Sequence, residues 1–169
     1  NPTTILVKVS HVAARLDFSQ FDVTLKGFEG NPTVVFDEAK FVNLQQNGKI
    51  VEGDASVNVK DGAFLNRSNR IGTKWTDMGT AYGYANQYKQ DSEMNTALYV
   101  KFTVDGRTFE KTYPINPAGI TKEVDHNGIK GGYLYDIKVR WTITPDWGDS
   151  TIEFYTRDWV HNSIPEVVL

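Results

Sequence analysis

Cysteine is absent from the chain, which excludes disulfides, thiolate metal sites and a cysteine nucleophile. Long runs of Ala, Leu, Glu and Lys are missing too. No window of a dozen residues repeats apolar side chains at helical spacing, and the helix-leaning pieces are as short as Asp37 to Lys40. No apolar run approaches the ~20 residues that span a bilayer. No cluster of Lys and Arg stands out, and the net charge is -3 with a pI near 5.6. That balance offers no electrostatic footing for nucleic acid. A glycine-rich phosphate loop, a serine on a strand-to-helix elbow and paired histidines at helical spacing are all lacking. The chain begins Asn1-Pro2 rather than with Met. It is expected to be a processed chain or an excised piece, with any targeting segment already removed.

What is present has a β composition. Hydrophobic residues make up 40% and charged residues 23% of the chain, which argues against disorder. Aromatics are 12%, proline numbers only 6, and Thr, Val and Tyr are plentiful. Branched and aromatic side chains suit a pleated, half-buried surface. The 169 residues fit one large domain with a core that needs no staples.

Alternation by two runs through most of the chain. Ile5, Val7 and Val9 share a face; Val12, Ala14, Leu16 and Phe18 continue in the opposite phase. The flip near Ser10-His11 predicts a bulge or a crossing between sheets. Phe21, Val23 and Leu25 form the next run, then Val34 and Phe36, then Phe41 to Leu44. Asn47-Gly48 predicts a tight hairpin turn leading to a weaker strand over Ile50 to Val59. Leu98, Val100, Phe102 and Val104 alternate up to Asp105-Gly106, which turns the chain into Arg107 to Tyr113. The strongest strand is Tyr133 to Ile143, and another follows over Ile152 to Trp159. Between them, about seven to nine strands with turn signals every ~10 residues predict an all-β, antiparallel two-sheet β-sandwich. No repeat and no linker divides it, so residues 1–169 are expected to form a single domain.

Residues 66–95 break the rhythm. They carry Trp75, Tyr82, Tyr84 and Tyr88 among Gly, Asn, Asp and Lys. The expectation is a long loop, or an excursion with one short strand. As a loop, its four aromatics offer a possible ligand-binding platform for sugar rings, since aromatic faces with polar edges suit that ligand. The plainer alternative is a lid packed over one end of the sandwich. The histidines His11, His126 and His161 are far apart near turns or strand ends, and the expectation is no metal and no cofactor. Asp146 and Asp149 flank Trp147-Gly148, and Asp91 and Glu93 lie near the aromatic stretch. A carboxylate pair with aromatics is what glycoside hydrolysis requires. Paired Asp in a Gly turn is more often turn chemistry, and the chain is expected not to be an enzyme. Asn66-Arg67-Ser68 fits a glycosylation acceptor pattern, which carries meaning only in a eukaryotic secretory context.

The end of the chain is the other notable feature. Val167, Val168 and Leu169 close an extended tail, His161 to Leu169. A solvated terminus gains nothing from apolar residues. They either cover their own sheet edge or complete a neighbour's sheet by strand addition. Each such side chain, once buried, would stabilise the contact by roughly 1.5–3 kcal/mol. Each backbone hydrogen bond would add about 1 kcal/mol net.

Three stretches carry a resemblance. Val7-Lys8-Val9-Ser10-His11-Val12-Ala13-Ala14-Arg15-Leu16-Asp17-Phe18 resembles the strand that opens the C-terminal domain of Bacteroidetes fimbrillins, the subunits of type V pili. Tyr133-Leu134-Tyr135-Asp136-Ile137-Lys138-Val139 resembles that family's penultimate long strand, and Thr156-Arg157-Asp158-Trp159-Val160 its final Trp-containing strand. The three blocks keep order and spacing across nearly the whole chain. The resemblance implies a transthyretin-like, Greek-key sandwich exported to the cell surface, in a fimbrium at the outer membrane. It implies a non-catalytic subunit that polymerises by donor-strand exchange. On this chain the donor segment would be 161–169, led by Trp159 and Val160, with Ile164, Val167, Val168 and Leu169 as its apolar residues. The implied partners are other pilin subunits, with a host surface glycan or protein as a further possibility. The rival readings are a carbohydrate-binding adhesin module built on residues 66–95 and, more distantly, a β-sandwich hydrolase.

Overall fold

The computed structural model describes residues 12–48, 58–62, 65, 70–87, 93–117, 126–146 and 150–158, with backbone alone at residues 70 and 150–158. Every regular element among them is a strand. Seven strands have eight or more residues: β1 (Ala13–Leu25), β2 (Val34–Val42), β6 (Lys74–Tyr84), β8 (Ala97–Val104), β9 (Arg107–Pro114), β11 (Tyr133–Ile143) and β12 (Ser150–Asp158). Five two-residue strands tie the connections: β3 (Leu44–Gln45), β4 (Val59–Lys60), β5 (Arg70–Ile71), β7 (Asn86–Gln87) and β10 (Gly128–Ile129). One sheet has the order β12-β11-β1-β6 and the other β5-β2-β8-β9. All long pairs are antiparallel except β1 with β11, which run parallel in register Leu16 to Tyr135 and Val23 to Trp141.

The inward positions of both sheets merge into one core. Leu16, Phe18 and Phe21 of β1 and Ile137 and Val139 of β11 are fully buried. So are Phe36 of β2 and Val100 and Phe102 of β8. Aromatic rings bridge the two layers. Phe21 meets Phe36 and Phe102 edge-on at 5.2 and 5.3 Å, and Phe102 meets Trp141 at 4.9 Å. Edge-to-face pairs of this kind contribute about 0.5–1.5 kcal/mol each beyond the area they bury. The sandwich is thus held by non-directional burial along its length and fixed in lateral register by the rings.

β1 is one strand where alternation reads as two. Leu16 and Phe18 face inward, and so do Phe21 and Val23. The phase changes because Ser19 is an extra residue: Phe18 pairs with Ile137 and Gln20 with the next residue, Lys138. This bulge restores an inward face on both sides of itself. The earlier flip at Ser10-His11 lies outside the described residues. The hairpin at Asp105-Gly106 is as expected: Val104 pairs with Arg107, and both turn residues have positive φ, 46° and 81°. The turn at Asn47-Gly48 is a correction. Gln46 N–H bonds to Asn58 O at 2.8 Å, so the chain does not reverse within those two residues.

The larger correction concerns 66–95. Its centre is β6, an eleven-residue strand paired antiparallel with β1 from Tyr84 opposite Ala13 to Lys74 opposite Asp22. The pairing is interrupted opposite Ser19, where Asp77 and Gly79 both take positive φ, 53° and 141°. That irregularity moves Trp75 and Met78 inward at three-residue spacing, which hides the period of two.

Candidate functional site

The seven long strands end at two poles. One pole gathers the ends of β2, β6, β9 and β12 and the starts of β1, β8 and β11. Gly132 N–H bonds to Ala13 O at 2.9 Å, and Asp158, the last described residue of β12, pairs with Tyr133. The described part of the last strand therefore ends at this pole, and among the described residues that strand stands at the end of its sheet. Trp159, Val160, Ile164, Val167, Val168 and Leu169, the expected donor residues, lie outside the described residues.

At that pole the connections are tied by side-chain amides, of which Asn116 is buried and Asn43 and Asn86 are half-buried. The Asn43 side chain, on a residue with φ 55°, donates to Glu93 O at 2.6 Å and Asn95 O at 3.1 Å. The Thr96 hydroxyl donates to Asn43 O at 2.7 Å. Asn86 Nδ2 donates to Met94 O at 2.9 Å and to Thr96 Oγ1 at 3.0 Å. Asn116, also left-handed at φ 51°, donates to His126 O and Gly128 O, each at 3.0 Å. Short polar side chains tolerate the left-handed conformation and satisfy backbone carbonyls that no strand reaches. A second knot sits beside them. Tyr135 is buried, and its hydroxyl accepts the Lys130 N–H at 2.8 Å and lies 2.8 Å from His126 Nε2. Burial pushes the Tyr135 pKa up, so the phenol stays neutral. None of these asparagines was singled out in the sequence. Their signal would have been Asn at strand ends next to long connections.

The arrangement positions loops, and among the described residues it does not bring the expected groups together. Asp146 is exposed at the opposite pole, and Asp149, Trp147 and Asp91 lie outside the described residues. Glu93 takes part through its backbone carbonyl. The carboxylates that the fold does bring side by side are Asp17 and Asp136, register partners across the parallel pair. Both face outward, opposite in phase to Leu16 and Ile137. Asp17 accepts from Arg15 Nε at 2.9 Å and Thr80 Oγ1 at 2.7 Å, and Asp136 accepts from the Ser19 hydroxyl. The Arg15 pKa is raised by its hydrogen bond to Asp17. Among the described residues no group of three or more His, Cys, Asp or Glu is placed to hold a metal. No helix among them is long and apolar enough to cross a membrane.

The expected aromatic platform is dispersed. Trp75 is a core side chain, 3% exposed, 5.3 Å from Phe21 and 5.8 Å from Phe36. Tyr84 is half-buried with its ring against Gly48. Tyr82 faces out, 57% exposed, on the same face as Arg15, its register partner. Tyr88 lies outside the described residues. Alternation along a strand sends Trp75 and Tyr82 to opposite faces of one sheet, so they cannot share a ligand.

No protein-family model and no curated protein matches the sequence. Solved structures do. The chain is similar to a "putative cell adhesion protein" from Parabacteroides distasonis, with 20% identity and a TM-score of 0.68 over 89% of this chain and 52% of that one. It is similar to the tip fimbrial protein Mfa3 from Porphyromonas gingivalis, with 13% identity and a TM-score of 0.52, again over 89% and 52%. A third likeness is to a "putative cell adhesion protein" from Bacteroides eggerthii, with 15% identity and a TM-score of 0.53 over 89% and 56%. The chain spans about half the length of the structures it matches. The resemblance carried by three short sequence blocks thus meets a likeness of the backbone over 89% of the chain, which has the fold of the matched part of these Bacteroidetes fimbrial and cell-adhesion proteins.

Proposed function

We propose that the chain is a non-catalytic structural domain of a bacterial surface fimbrium, exported to the cell exterior at the outer membrane. In this reading it polymerises with other pilin subunits by donating residues 161–169, led by Trp159 and Val160, to a neighbour's sheet. The supporting observation is the backbone likeness to fimbrial and cell-adhesion proteins over 89% of the chain. Two further facts favour the tail as the donor. Among the described residues β12 stands at the end of its sheet, and the sequence after it still holds Ile164, Val167, Val168 and Leu169. An extended apolar segment following an edge strand is suited to strand addition, in which backbone hydrogen bonds give affinity and alternate side chains fill pockets.

Deletion of residues 161–169 from the full-length polymerising protein tests the reading. The expected result is a folded subunit, with unchanged circular dichroism, that no longer forms polymers on a gel or in electron micrographs. Polymers of normal length from the deleted protein would refute it.

A further inference from the structure

The chain holds two Asn-Gly dipeptides, Asn47-Gly48 and Asn127-Gly128, and the fold treats them oppositely. In the second the glycine is locked. Gly128 is buried in β10, where it is the register partner of Gln87. Its N–H donates to Asn116 O at 2.8 Å, and its carbonyl accepts from Asn116 Nδ2 at 3.0 Å. In the first, both residues are exposed and irregular. The β3–β4 pairing comes only as near as the bond from Gln46 N–H to Asn58 O. Among the described residues no backbone carbonyl accepts from the Gly48 N–H. Packing, rather than a chain reversal, accounts for glycine at position 48. A Cβ there would collide with Tyr84 Cδ1 and come within 2.8 Å of Val12 Cγ1. The missing side chain seats the Tyr84 ring. It also leaves the Gly48 nitrogen unscreened from the Asn47 side chain.

We propose that Asn47 is a self-modification site: the folded chain converts it to aspartate and isoaspartate, while Asn127 is held unreacted. The Gly48 nitrogen gives up its proton and attacks Asn47 Cγ. The N–Cγ bond forms, the Cγ–Nδ2 bond breaks, and the side-chain nitrogen leaves as ammonia with that proton. The product is a cyclic imide spanning Asn47 and Gly48. Water then adds to one of the imide carbonyl carbons, and the bond from that carbon to the Gly48 nitrogen breaks. Opening at Cγ gives aspartate. Opening at the main-chain carbonyl carbon gives isoaspartate, with the chain now running through Cβ and Cγ. Either product adds a negative charge to a chain whose net charge is -3. Only isoaspartate lengthens the main chain. It displaces Gly48 from the Tyr84 ring and loosens the end of β6, of which Tyr84 is the last residue. At Asn127 the same attack requires Gly128 N–H to leave Asn116 O and β10 to open first. The inference is independent of the tail and of the fimbrial reading.

Peptide mapping by mass spectrometry of the folded chain, aged in neutral buffer, tests it. The readouts are the amide-to-acid mass change at each dipeptide and isoaspartate labelling by an isoaspartyl methyltransferase. The expected result is conversion of Asn47 at least about ten-fold faster than of Asn127, because Gly128 must first open locally. In urea the two dipeptides should react at similar rates, since their chemistry is the same. Equal rates in the folded chain would overturn the proposal. So would an Asn47 that survives in the folded chain and reacts only in urea. A difference that persists in urea would overturn the part assigned to the fold. The effect on Tyr84 is read separately, by comparing the isoaspartyl form, isolated by ion exchange, with Asn47→Asp. Both carry the added charge, and the isoaspartyl form should melt at the lower temperature. Equal melting would overturn the displacement of Gly48.

Discussion

At the scale of the residue, Trp75 shows how one side chain decides between readings. Its burial against Phe21 and Phe36 makes it a packing residue. Trp75→Ala should destabilise the fold by about 3–5 kcal/mol, measured by urea unfolding; a loss within 0.5 kcal/mol, as at an exposed site, would contradict its placement. Tyr99 makes a different kind of prediction. Desolvation, then the hydrogen bond to Glu110 at 2.9 Å, pushes its hydroxyl up to about 12. The neutral phenol is favoured in the folded state. Its contribution to stability is therefore complete below the unfolded pKa and is lost as pH rises through the folded one. A spectrophotometric titration should show a tyrosinate step near 12 that vanishes in Tyr99→Phe and moves down in Glu110→Gln. A Tyr99 step at the ordinary 10.0 would contradict the contact. Neither residue's role was legible beforehand. Both depend on which strand lies alongside, and residue type alone does not disclose that.

At the scale of the element, legibility followed regularity. Tyr133 to Ile143 alternates without interruption and is β11 from end to end. Asp105-Gly106 joins two clean alternations and is a hairpin turn. Where a bulge changes the phase, alternation misleads. Ser19 splits one strand into two apparent runs, and the irregularity opposite it disguises β6 as a loop. Asn47-Gly48 carries the turn dipeptide, yet Gln46 reaches to Asn58, because a local preference yields to tertiary pairing. The bulge also yields a prediction. Deleting Ser19 would remove the extra residue and leave a strict period of two, with Phe18, Phe21 and Val23 still on the core face. The deleted chain should therefore keep a cooperative melting transition by circular dichroism. Loss of the transition would mean that Ser19 is more than an extra residue between two inward runs.

At the scale of the whole molecule, composition and alternation were sufficient for an all-β sandwich, and the three resembling blocks for the kind of sandwich. They were not sufficient for the parallel β1–β11 pair, since strand direction is set by connections that local sequence does not encode. Nor did they disclose the polar pole, which forms only when Asn43, Asn86 and Asn116 are brought together from separate connections. Among the described residues β12 stands at the end of its sheet, and an apolar segment follows it in the sequence. The proposal that this segment completes a neighbouring molecule is met most directly by a benzophenone amino acid placed at Val167 in the full-length polymerising protein. After illumination of assembled fibres, the account predicts cross-links between different subunits, seen as a ladder of covalent multimers. Cross-links confined to single chains, with the tail bound to its own sheet, would contradict it.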